Sequence, residues 1–566
     1  MRRREKRAAN GASRAGALLF GSPAVRLDLD LDLELELELE LEWSLSAHQE
    51  PESAPVRAPD FRRLPVPRAL HRPDAARRNR VIEHVDVIII GAGLSGIGAA
   101  RHLREKCPEK TFLILEGRAA IGGTWDLFRY PGVRSDSDMY TLGYTFKPWK
   151  DQKAIADGPS ILAYVRETAA ENGLEARIRF GHRVVRASWS SPDAAWTVEV
   201  DRGPGEESAR LTCNFLLTCT GYYDYAAGYT PELPGVERFA GRIVHPQFWK
   251  DDIEYAGKRV VIIGSGATAV TLVPELAKKA AHVVMLQRSP TYVVSMPAED
   301  PIANWLRDHV PAGLAYGLAR WKNVLLGMFF FQLSRRRPDF ARKRIIDLVR
   351  KELGPDYDVE KHFTPHYKPW DQRVCLVPDS DLFASIREGK ASVVTDHIET
   401  FTETGIRLRS GEELPADLVV TATGLRLQFL GGLELTVDGR RIEPAKTMTY
   451  KAMMLCDVPN LVCTFGYTNA SWTLKADLTS EYVCRLLRHM SDTGARKATP
   501  RHADASVEER PFLDFSSGYV QRGLSSFPKQ GSKRPWKLDQ NYVLDLLNLR
   551  FGDVNDGTIE FEGPAT

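Results

Sequence analysis

"VDVIIIGAGLSG", residues 85–96, decides the fold of this chain. An unbroken run of β-branched residues, Val87 to Ile90, reads as a strand buried on both faces of a parallel sheet, because a half-exposed strand alternates apolar with polar. The run ends in G-x-G-x-x-G. Gly91 makes the tight turn, Gly93 lets backbone come close to a pyrophosphate, and Gly96 lets the next helix pack on its strand with its N-terminus facing the phosphates. That helix is read in "GIGAARHLREKC" (96–107), and a second strand, "TFLILE" (111–116), ends in Glu116. Twenty residues beyond Gly96, Glu116 is placed to accept hydrogen bonds from a ribose.

The pattern returns in "RVVIIGSGATAV" (259–270), followed by a helix in "TAVTLVPELAKKA" (268–280) and a strand "HVVMLQR" (282–288). Two separate mononucleotide folds are therefore expected, an α/β architecture with two Rossmann-like units and a helical insertion. In the second turn Ala269 replaces the third glycine, and where the first unit has Glu116 the second has Arg288 and Ser289. A cation beside a hydroxyl suits a 2′-phosphate that a carboxylate would repel, so NADPH is expected there. "IGGTWDLFRYPGVRSDSDMY" (121–140) points to FAD in the first unit. Gly122 and Gly123 give a flexible entry, Trp125 and Tyr130 aromatic walls, and Pro131–Gly132 a turn that delivers Arg134 and Asp136 to a planar ring system.

Between the units, "RIRFGHRVVRASWS", "AWTVEV" and "FLLTCTG" read as strands completing the first sheet. Residues 301–370 turn helical and aromatic, and "KASVVTDHIETFTETGIRLRSG" and "ADLVVTATG" return to short strands; beyond about residue 500 no clear periodicity is legible. The 566 residues balance 76 basic against 74 acidic side chains, which gives no global reason to expect nucleic acid. Seven scattered cysteines contain no CxxC, so neither a disulfide framework, a metal site nor a flavin disulfide reductase is indicated, and a reducing, cytoplasmic location fits. The first 80 residues, with "LDLDLDLELELELELEW" at 27–43, read as a low-complexity disordered leader; the native start is expected at Val81, through a codon other than ATG, with a translated disordered extension as the alternative. No run reaches the length of a membrane-spanning helix.

"GGTWDLFRYPGVRSD" and "FAGRIVHPQFW" resemble the two fingerprints of the type I Baeyer–Villiger monooxygenases, within the class B flavoprotein monooxygenases. "RSDSDMYTLGYTFKPW", "MLQRSPTYVVS", "HYKPWDQRVCLVP" and "GYTNASWTLKADL" extend the resemblance from Val81 past "KQGSKRPWKLDQNY". It implies FAD held by Gly91, Gly93, Ser95, Gly96, Glu116, Gly123, Thr124, Trp125, Asp126, Leu127, Arg134, Ser135, Asp136 and Val184. It implies NADPH held by Gly264, Ser265, Gly266, Ala267, Thr268, Ala269, Val270, Arg288 and Ser289. The active-site arginine of the family falls on Arg373, oriented by Asp136. The linker fingerprint falls on Phe239, Gly241, His245 and Trp249, which lie on the connection between the units and would shape domain movement. Two positions depart from the family pattern: Lys250 follows Trp249, and Gln372 precedes Arg373 where a lysine is usual, so the NADP preference rests more on Arg288.

The implied division is 81–225 and 415–566 for the FAD domain with the tail, 226–300 and 371–414 for the NADPH domain, and 301–370 for the insertion. The implied reaction places one oxygen of O2 next to a ketone carbonyl, by way of a C4a-peroxyflavin, to give an ester or lactone. Thioethers and thioamides are second substrates of the same chemistry. A heteroatom oxygenase without ketone activity and a non-enzymatic flavin-binding protein are the alternatives. "WKNVLLGMFFFQLSRRRPDFARKRIIDLVRK" (321–351) reads either as a helical subdomain packed on the substrate pocket or as a peripheral membrane contact, and homo-oligomerisation is left open.

Overall fold

Uninterrupted apolar strands lie at the centre of both sheets in the computed structural model, which describes residues 82–563; the expectations for the leader lie outside them. In the nine-stranded first sheet Glu83–Ile90 runs parallel to Phe112–Leu115 on one side and to Ala209–Thr218 on the other. Val87, Ile88 and Ile89 are fully buried between helices on one face and further strands' side chains on the other, as their unbroken pattern requires. Arg183–Ser190 and Ala195–Asp201 add antiparallel strands, and Glu434–Val437 returns late in the chain beside the first of them.

The second sheet is wholly parallel, in the order Ala391–Thr395, His282–Gln287, Arg259–Ile263, Leu418–Thr421, Arg242–Val244. Here the expected boundary at residue 414 is corrected. Leu418–Thr421 pairs inside the second sheet, so that unit extends past 414; a short, fully buried strand carries no alternation to say which sheet it joins. Two passages connect the sheets, and their strands Tyr223–Gly228 and Leu425–Leu427 pair antiparallel with each other.

The insertion is helical, with Pro301–His309, Ala312–Arg336, Pro338–Leu353 and Val359–Phe363. Asp300 caps the first of these by accepting from the Ala303 amide at 3.0 Å. The region after residue 500, unreadable by periodicity, forms short strands and helices such as Glu509–Pro511, Gly518–Gly523 and Tyr542–Leu546. The long helix Trp472–Thr493 packs on Leu94–Lys106, where the His102 ring meets Asp477 at 3.4 Å. Among the described residues no helix is long and apolar enough to cross a membrane, and no group of side chains could hold a metal ion.

Candidate active site

Both glycine turns open on one cavity of about 1300 Å³ between the two sheets. At Gly91 φ is +106°, and a Cβ there would lie 2.6 Å from the Cys219 carbonyl oxygen. A Cβ at Gly96 would lie 1.9 Å from the Gly91 carbonyl oxygen, so Gly96 packs the helix and does not line the cavity. The second turn repeats this at Gly264, with φ +132° and the Ala422 carbonyl oxygen 2.3 Å from a would-be Cβ. The helices that follow start at Gly93 and Gly266 with no side-chain cap and no acid in the first turn. Their first amide groups are left to a ligand, and the space beside Gly266 is open within 4 Å.

Glu116 lines the cavity with its carboxylate fixed, one oxygen accepting from the Ala92 amide at 2.7 Å and the other from the Arg118 amide at 2.8 Å. Lone pairs remain on both oxygens for sugar hydroxyls. The Ser95 hydroxyl accepts from the Trp472 indole at 2.7 Å, and Trp472 stacks on Tyr222 at 5.2 Å. Thr124 meets the Tyr225 hydroxyl at 3.2 Å, and Gly123, Trp125, Ser135 and Val184 line the same cavity. These features fit a dinucleotide with an extended aromatic ring system.

Asp126 and Leu127 do not line the cavity. Asp126 is turned away and clamped by three guanidinium groups, Arg118 at 2.6 Å, Arg129 at 2.5 Å and Arg166 at 3.1 Å, a charge demand that only the assembled fold reveals. Arg134 borders the cavity but its guanidinium is engaged by Asp381 at 2.5 Å, so it is not free to face a ring system as expected. Ala269 and Val270 are likewise off the cavity, buried in the core of the second unit. Gly264, Ser265, Gly266, Ala267, Thr268, Arg288 and Ser289 all line it. Arg288 is exposed and makes no hydrogen bond or ion pair among the described residues, which leaves its charge for an anion.

Arg373 and Asp136 meet where the walls of the two units join, Nη2 to Oδ2 at 2.7 Å. Their 34% and 37% exposure is to the cavity that both line, so a ligand filling it would enclose them. Asp136 holds the guanidinium deeper in its charged range, outweighing burial, with Tyr222, Tyr519 and Tyr223 around it. Burial pushes Tyr130 up to about 12 and raises Tyr222 and Tyr223, so this phenolic wall is neutral at physiological pH. Burial also pushes the Cys219 and Cys375 thiols up to about 12, which removes thiolate chemistry from the cavity.

The linker residues stand behind the cavity. His245 bridges the crossover, its Nδ1 accepting from the Gln247 amide and its Nε2 donating to the Gly424 carbonyl, both at 3.2 Å. Phe239 packs edge-on against Phe401, Trp249 is buried in the second unit's core, and a Cβ at Gly241 would lie 2.7 Å from the Asp417 carbonyl oxygen. Sequence reasoning missed Tyr222, Tyr223, Tyr225, Trp472 and Tyr519. The run "TGYYDYAAGY" (220–229) directly after a buried strand was the available signal for the first three.

The family described as flavin-binding monooxygenase-like matches residues 84–305. The FAD-containing monooxygenase EthA of Mycolicibacterium smegmatis is 53% identical over 480 residues, 85% of this chain and 97% of that protein. The chain belongs to the FAD-containing monooxygenase family. The EthA of Mycobacterium tuberculosis is 55% identical over 480 residues, 85% of this chain and 98% of its own length. A solved oxidized steroid monooxygenase bound to NADP shares the fold at a TM-score of 0.68, with 22% identity over 85% of this chain and 100% of that one. This monooxygenase therefore has the two-unit mixed α/β architecture expected from its paired glycine turns.

Proposed function

We propose that this family member is an NADPH-dependent Baeyer–Villiger monooxygenase that holds FAD and converts lipophilic ketones to esters or lactones, and oxygenates sulfur in thioethers and thioamides. The Arg373–Asp136 pair, set where two uncapped helix N-termini share one cavity, carries the reading. In the overall balance NADPH, a proton, O2 and the ketone become NADP⁺, water and the ester. FAD, reduced by NADPH, supplies the activated oxygen when bound.

The protein's own residues bind, orient and shield. Amides at the start of Leu94–Lys106 hold the FAD pyrophosphate, and Glu116 accepts from its ribose. Ala267–Ala277 does the same for NADPH, and Arg288 with Ser289 takes the 2′-phosphate. The Arg373 guanidinium, permanently charged, offsets negative charge as it develops on the substrate oxygen; one such preorganised donor contributes roughly 2.7–4 kcal/mol. Asp136 aims it, and the Tyr222–Tyr223–Trp472 wall excludes water.

The supporting experiment reduces the purified enzyme with NADPH without oxygen, then adds O2 and a ketone panel and weighs the products. Ester masses are expected. Oxidation of amines or sulfides with no ester from any ketone would instead leave a heteroatom oxygenase.

We propose a cytoplasmic enzyme, with a peripheral membrane contact of the insertion as a second reading beside a helical subdomain packed on the substrate pocket. Leu314, Leu318, Trp321 and Leu325 are 57, 46, 41 and 53% exposed on one face of Ala312–Arg336, and no carboxylate occurs between Asp308 and Asp339. Co-sedimentation with anionic vesicles that is unchanged in Leu318→Ser/Leu325→Ser would contradict the contact.

A further inference from the structure

Arg373 hangs on a short loop, residues 366–375, whose ends and apex are anchored by different elements. Tyr292 fixes the ends: its hydroxyl donates to the Tyr367 carbonyl at 2.7 Å, and its carbonyl accepts from the Cys375 amide at 2.8 Å. At the apex Trp370 has φ +68°, a left-handed conformation that a residue with a large side chain keeps only when its surroundings impose it.

Two elements impose it. From the C-terminal region, the Ser516 amide and hydroxyl both donate to the Asp371 carbonyl, at 2.9 and 3.0 Å. From the insertion come the last turns of the helix Ala312–Arg336. Arg335 Nη1 donates to Asp371 Oδ1 at 2.8 Å, and the Phe331 ring meets Trp370 edge-on at 5.4 Å. The second Asp371 oxygen accepts from the Lys368 amide at 3.2 Å and closes the turn. Asp371 lies two residues before Arg373 in the same loop.

We infer that Arg335, acting through Asp371, is a positioning residue for Arg373, and that the insertion helix thereby sets where the active-site charge sits. The inference rests on the reading that Arg373 serves oxygen transfer. The Arg335–Asp371 pair is 42% and 35% exposed, so it contributes little to overall stability. Its effect falls instead on a loop with a strained apex, and it weakens as salt screens it over a Debye length of about 8 Å at physiological ionic strength.

The test uses the FAD-loaded enzyme with an accepted ketone and measures ester formed and hydrogen peroxide released per NADPH consumed, in wild type, Arg335→Gln, Arg335→Asp/Asp371→Arg and Arg373→Lys. Melting temperature and the anaerobic rate of flavin reduction serve as controls. Arg335→Gln is expected to match wild type in both controls yet make at least threefold less ester per NADPH, with peroxide rising to match. Wild-type coupling should fall as sodium chloride is raised, coupling in Arg335→Gln should not, and the charge-swapped double variant should recover part of the loss. Coupling in Arg335→Gln within a factor of 1.5 of wild type, with the same salt response, overturns the inference. So does a loss that appears only together with lowered melting temperature and flavin content. Arg373→Lys separates the two levels: poor coupling there with normal Arg335→Gln refutes the positioning role alone, whereas full ester yield from Arg373→Lys refutes the function proposed for the site.

Discussion

In the proposed function Gly91 and Arg288 carry the nucleotide chemistry at the level of single residues, for opposite reasons. Gly91 matters for what it lacks: at φ +106°, 2.6 Å from a carbonyl oxygen, any side chain must push the turn open. Gly91→Ala is expected to purify without yellow colour, read as lost absorbance near the flavin maximum. Arg288 matters for a charge that no neighbour uses. A charge-assisted contact contributes about 1.5–3 kcal/mol, so Arg288→Ala should raise KM for NADPH by roughly ten- to a hundredfold and leave KM for NADH nearly unchanged. Equal losses with both nucleotides would exclude the 2′-phosphate contact. The positions of such residues are legible in sequence because each directly follows a buried strand. The orientations of Asp126 and Arg134 are not: Arg134 is engaged by Asp381, 247 residues away, Asp126 draws Arg166 from 40 residues away besides Arg118 and Arg129 nearby, and a charge does not announce whether it faces a ligand or another side chain.

Elements show the same contrast. The buried strands and following helices are legible because burial on both faces forces an unbroken apolar run, whereas the short, partly exposed crossover strands Tyr223–Gly228 and Leu425–Leu427 carry no such pattern. At this crossover His245 is held neutral, since burial lowers its tendency to take up a proton. The unfolded chain binds the proton near the ordinary pKa of about 6.5 and the folded one only below it, so stability falls as pH drops through that value. Thermal melts between pH 7.5 and 5 should therefore show a smaller acid loss in His245→Asn than in wild type; identical slopes would remove His245 from the pH dependence.

Across the whole molecule, the site is assembled from segments that no local pattern connects. Trp472 and Tyr519 reach the cavity from more than 300 residues beyond the first glycine turn, and the strand Leu418–Thr421 joins a sheet whose other members begin at residue 242. Sequence reading finds the two nucleotide units but not the region that closes over them. Because FAD would fill much of the space between the sheets, its removal should lower the melting temperature and its re-addition restore it, by about 2.7 kcal/mol at a hundredfold excess over Kd. The proposed function assigns the Arg373 charge to oxygen transfer and not to cofactor binding. Its most direct measurement is a single turnover of NADPH-reduced Arg373→Ala enzyme mixed with O2 and ketone, with ester counted against bound flavin. The expected result is full flavin occupancy and ordinary reduction, with ester formation slowed about 10²–10³-fold; ester formed at the wild-type rate and yield would contradict it.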